Sequence, residues 1–139
     1  MRAVQRPPTA GIVAAVTYIV LVFAPYVLFA VEDTNEIALY YDFGIAGPQY
    51  LSLLAAVGVI LFAAGRERRT EPDLVAGLTL VLGLVLTIFV AIWAVSVPED
   101  IVFALGDAAW VEHHRWLVVL AAAGLVVASL WYVRALELF

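Results

Sequence analysis

The chain has 139 residues, 65% of them hydrophobic and 14% charged, with a formal net charge of −5 and a mean hydropathy of +1.05. A soluble domain is about 45–50% apolar and about 25% charged, so this composition belongs to an integral membrane protein, and its acidity speaks against nucleic acid as a partner. With no cysteine it forms no disulfide, thiolate metal site or CxxCH haem link, and its length suits one domain over residues 1–139.

A membrane-spanning helix needs about 20 predominantly apolar residues, and four segments qualify: roughly 10–31, 48–64, 74–97 and 116–133. The first follows Arg2 and Arg6 but is longer than a signal-peptide core and lacks a clear A-x-A cleavage site, so it reads as an uncleaved span. Pro25 within it removes the amide that would bond the carbonyl of Leu21, which predicts a kink. Tyr18 and Tyr26 lie nearby, and buried hydroxyls are the expected partners for the freed backbone groups.

The connection after the first span carries Glu32, Asp33, Glu36 and Asp42. Asp33 followed by Glu36 resembles a helix-capping arrangement, and Ile37, Tyr40 and Tyr41 follow on an apolar side. The connection after the third span carries Glu99, Asp100, Asp107 and Glu112, and Ile101, Leu105 and Ala109 recur there every four residues. Both connections read as short amphipathic helices that cap one end of a bundle. Their carboxylates lack EF-hand spacing and read as a solvated surface, with no metal site expected. Acidity together with the absence of lysine suggests an organism of high-salt habitat.

Between spans two and three, "GRERRTEPD" sets Arg66, Arg68 and Arg69 directly at a membrane edge. Arg2, Arg6 and Arg134 fall on the same side, which therefore holds six of the seven basic residues. The positive-inside rule places that side, with both termini, in the cytoplasm of a multi-pass cell-membrane protein.

Spans two and four share a pattern. "YLSLLAAVGVI" (50–60) aligns with "WLVVLAAAGLV" (116–126) without a gap, pairing Gly58 with Gly124. This predicts two tandem helical hairpins in an all-α four-helix bundle. Lipid supplies no hydrophobic force between helices, so small residues mark the packing faces: Thr79, Gly83, Thr87 and Ala91 in span three, Gly124 and Ala128 in span four, and Gly58 in span two. The same faces would serve a homo-oligomer or a larger membrane complex.

The run "AAWVEHHRW" (108–116) holds both histidines between two tryptophans. It reads as a membrane edge. Adjacent helical residues point about 100° apart, so His113 and His114 do not ligate one metal together, and no cofactor is expected.

The runs "FAAGRERRTEPDLVAGL", "VPED" and "EHHRW" resemble a family of small four-span membrane proteins of haloarchaea that has no assigned function. The resemblance implies a topology and a source, and no substrate, cofactor or catalytic residue. The functional expectation is a non-enzymatic accessory or scaffold subunit that acts through helix packing, connection contacts and membrane lipid. The alternatives are a haem- or quinone-associated redox subunit using His113 or His114, and an oligomeric pore or transporter.

Overall fold

A computed structural model describes residues 2–28, 38, 40–98 and 109–138. Glu32, Asp33, Glu36, Glu99, Asp100 and Asp107, and the amphipathic helices expected around them, lie outside the described residues, as do the side chains of Trp110 and Glu112.

The described residues are helical or irregular, with no strand among them. A short 3-10 turn at Ala3–Gln5 leads into α1 (Arg6–Leu28), followed by α2 (Pro48–Arg66), α3 (Pro72–Ser96) and α4 (Ala109–Ala135). All four are long and apolar enough to cross a membrane. The boundaries follow from local chemistry. Pro48 and Pro72 open α2 and α3 at the first helical position, where a missing amide costs nothing, and Asp73 sits in the positive first turn of α3. At the end of α2, Arg68 adopts φ 57°, and the amide of Arg69 turns back to the carbonyl of Ala64 at 2.8 Å. Glu137 ends α4 in the same way at φ 58°, with the amide of Leu138 reaching the carbonyl of Val133. These are left-handed C-terminal caps made without glycine.

Each helix packs chiefly on two neighbours, α1 on α2 and α4, and α3 on α2 and α4. Contacts fix the directions. Arg66 meets Thr9 while Tyr18 meets Pro48. Ser129 meets Thr79 while Arg115 meets Val97. His114 meets Leu21, and the α carbon of Gly124 faces Ala14. Every neighbouring pair is therefore antiparallel. The termini and the 67–71 connection share one end, here the near end; the connections after α1 and α3 share the far end.

Buried positions recur three and four residues apart, as left-handed bundle packing requires. In α1 they are Gly11, Ala15, Tyr18, Val22 and Pro25, and in α3 Thr79, Gly83, Leu86, Val90 and Trp93. In α2 they are Leu51, Ala55, Gly58, Phe62 and Gly65, and in α4 Val118, Ala122, Leu125, Ser129 and Tyr132. The α4 set lies one position further along than the gapless alignment of spans two and four would pair it. Leu51 is buried whereas its aligned partner Leu117 is 43% exposed. The sequence likeness thus pairs residues that point in different directions.

Candidate functional site

Several polar side chains of the bundle meet at the far end, around Pro25. Pro25 is buried within α1, and the carbonyl it leaves without a helical partner, that of Leu21, lies 2.6 Å from Nε2 of His114 on α4. A carbonyl only accepts, so Nε2 carries the hydrogen and donates it. Nδ1 of the same ring lies 3.0 Å from the hydroxyl of Tyr40, which donates to it in the neutral tautomer. One residue on, the carbonyl of Val22 accepts the hydroxyl of Tyr41. The hydroxyl of Tyr18 goes instead to the carbonyl of Pro48, at 2.9 Å. Tyr26 is 38% exposed. The donors around Pro25 are thus a histidine from α4 and a tyrosine from the connection, not the tyrosines of α1.

This corrects the reading of "AAWVEHHRW" as an edge for both histidines. His113 is exposed, whereas His114 is 1% exposed. Helix α4 begins at Ala109, well before the expected start of the span, and its turn carries the second imidazole inward.

Trp93 of α3 completes the cluster. Its indole N–H donates to the carbonyl of Tyr40 at 2.9 Å, and its ring meets that of Tyr40 edge-on at 5.1 Å. Gly44, at φ +80°, lies so close to α3 that a Cβ there would come 2.9 Å from the Trp93 α carbon. Residues 40–47 therefore fold across the bundle end. Burial pushes the Tyr40 phenol upward against the opposing pull of Arg115, and raises that of Tyr41 with help from its tyrosine neighbours. Arg115 donates to the carbonyl of Val97 at 2.9 Å and lies 5.4 Å from the Trp116 ring. Among the described residues, its Nε and Oε1 of Gln49 are buried with no hydrogen-bond partner.

The small residues predicted to pack are distributed as follows. Thr79 and Gly83 are buried against α4, where a Cβ on Gly83 would come 3.2 Å from the backbone nitrogen of Val126. The hydroxyl of Ser129 lies 3.1 Å from that of Thr79. Thr87 and Ala91 are half-buried, because the buried face of α3 passes through Leu86 and Val90 instead. Gly58 is buried beside Leu125 and Leu82, Gly124 is half-buried beside Ala14, and Ala128 is buried. At the near end Arg66 donates to Thr9 at 2.9 Å and pairs with Glu67, while Arg68 and Arg69 are exposed. Among the described residues no three histidine or carboxylate side chains meet to hold a metal ion.

The family model for a family of unknown function, DUF7548, matches residues 1–137. The chain belongs to that family. No curated protein and no solved structure matches it. Membership of DUF7548 agrees with four apolar helices in a multi-pass membrane protein and carries no activity with it.

Sequence reasoning missed the pairing of His114 with Leu21, although both signals were present. A proline inside a span leaves a carbonyl needing a donor from another element, and in an antiparallel bundle the start of span four lies level with the end of span one.

Proposed function

We propose that this protein works by association, as an accessory or scaffold subunit of a membrane complex, and does no chemistry of its own. One observation carries the reading: apart from Nε of Arg115 and Oε1 of Gln49, the buried polar side-chain atoms among the described residues close on one another and on backbone carbonyls. Tyr18, Tyr40, Tyr41, Ser52, Thr79, His114 and Ser129 all do so, as expected of groups that specify a bundle. Both ring nitrogens of His114 are engaged in this way, which weighs against haem or quinone ligation. The arginine asymmetry supports termini in the cytoplasm and a far end facing outward. Acidic far-end connections in a lysine-free chain suit a cell living in strong salt.

Native membranes solubilised in mild detergent, or extracted directly into polymer nanodiscs, test the association. The chain, 15.1 kDa alone, should migrate in a particle that contains further protein in fixed ratio. Recovery as a single chain in nanodiscs would refute the association reading, and a Soret band or bound quinone lost in His114→Ala would establish the redox alternative in its place.

A further inference from the structure

We infer that the far end carries a binding site for an alkylammonium group, in a hollow formed by residues 41–47 and Tyr50. Binding there calls for no chemistry and for no particular partner subunit, so it is independent of the association reading. The hollow has a volume of about 300 Å³ and is walled in part by Tyr41, Asp42, Phe43, Gly44, Gly47 and Tyr50. That is the lower end of the range for small-ligand sites, about 300–1,000 Å³. Its wall is set before any ligand arrives. The Tyr41 hydroxyl is tied to the carbonyl of Val22, Gly44 sits against the Trp93 backbone at φ +80°, and α2 starts at Pro48 directly after Gly47. A preformed wall spares a ligand the cost of ordering it.

The lining selects an organic cation. Tyr41, Phe43 and Tyr50 are aromatic, and the negative face of an aromatic ring attracts ammonium groups. Tyr50 is 69% exposed, which leaves its ring open to a ligand. Asp42 is exposed and pairs with no basic side chain among the described residues, and no basic residue lines the hollow. Behind the wall, two oxygens converge on Gly47, where a Cβ would come 2.5 Å from Oε1 of Gln49 and 2.6 Å from the carbonyl oxygen of Tyr41. The Gln49 oxygen has no hydrogen-bond partner, so its partial negative charge is unspent. Anions are repelled by such a set. A hard metal ion needs about six to eight oxygens, and Asp42 is the one carboxylate in the lining. An alkylammonium group draws on the rings and the carboxylate together. Such a group is found on free organic cations and on amine-bearing lipid headgroups, and a hollow at the end of membrane-spanning helices is within reach of both.

Equilibrium dialysis of labelled choline tests the site, with the full chain in phosphatidylglycerol nanodiscs, whose lipid has no ammonium group, and empty nanodiscs as the blank. Choline should bind saturably and be displaced by tetramethylammonium but not by sodium at equal concentration. Asp42→Asn and Tyr50→Leu should each weaken choline binding by about fivefold or more. Tyr50→Phe, which keeps the ring, and Asp73→Asn, at the near end, should bind as wild type. Asp42 and Tyr50 are exposed, so all these variants should fold, with melting midpoints matching wild type. Repeating the dialysis in phosphatidylcholine nanodiscs separates the two sources: choline binding suppressed there assigns the hollow to a lipid headgroup, and binding undiminished there assigns it to a free cation. No saturable choline binding in phosphatidylglycerol, displacement by sodium as readily as by tetramethylammonium, or binding unchanged in both Asp42→Asn and Tyr50→Leu would overturn the site.

Discussion

His113 and His114 are neighbours in sequence and occupy opposite environments, because consecutive helical side chains point about 100° apart. The exposed ring can be removed without loss. His113→Ala should leave the thermal midpoint in detergent unchanged. His114→Ala leaves the part-buried carbonyl of Leu21 without its imidazole donor, and should destabilise by about 1 kcal/mol, the usual net worth of such a bond. Equal midpoints for the two variants would show that water replaces the imidazole at no cost. A second residue-scale contrast sets Gly83 against Gly77. A side chain on Gly83 collides with the backbone of α4, whereas Gly77 has nothing within 4 Å. Gly83→Leu should therefore lower stability by roughly 1–3 kcal/mol, as overpacking does, and Gly77→Leu should behave as wild type in the same melts.

Among the elements, the turn between α2 and α3 and the cap formed by residues 40–47 make separate predictions. Arg68 holds a left-handed conformation that costs a non-glycine residue roughly 1–2 kcal/mol. Arg68→Gly should thus raise the detergent melting midpoint, and no change would mean that contacts of the arginine already offset the strain. The cap predicts a dependence on pH. Burial holds the Tyr40 and Tyr41 phenols above the ordinary value, near 10 in water. The unfolded chain then loses protons before the folded one. Their contribution to stability is complete below about pH 10 and declines as pH rises above it. Melting midpoints followed from pH 8 to 12 should fall in the upper part of that range, and less steeply in the Tyr40→Phe, Tyr41→Phe double variant. A decline equally steep in that variant would place its origin elsewhere.

For the whole molecule, the antiparallel bundle gathers its charges by end. Arg66, Arg68, Arg69 and Arg134 belong to the near end with Arg2 and Arg6, and Arg115 to the far end. Single cysteines at Thr70, Asn35 and Asp107 convert this into an experiment on intact cells. An impermeant maleimide should label Asn35→Cys and Asp107→Cys and spare Thr70→Cys. The reverse pattern would invert the proposed orientation. Between the ends, Thr79 and Ser129 join α3 to α4. Such a pair in a membrane bundle is worth about 0.6 kcal/mol in measured cycles, so packing at Gly83 should matter more to assembly than this hydrogen bond.

The sequence by itself determined the four spans and the all-helical class, because apolar runs of membrane length, and the proline and charge at their ends, are local properties read residue by residue. It also marked Pro25 as a break and Gly83 as a place for close approach. What the tertiary structure alone decided is which faces meet. The small-residue stripe of α3 enters the interface at Thr79 and Gly83 and leaves it at Thr87 and Ala91, because supercoiled helices bury positions three and four apart and a strict four-residue stripe drifts off that seam. The likeness between spans two and four pairs Leu51 with Leu117, yet the rotation of each helix about its axis buries one and exposes the other. His114 joins the Pro25 cluster for the same reason: its partner is a carbonyl on α1, and backbone acceptors have no residue signature. Only the antiparallel closure of α4 against α1 brings that donor to that acceptor.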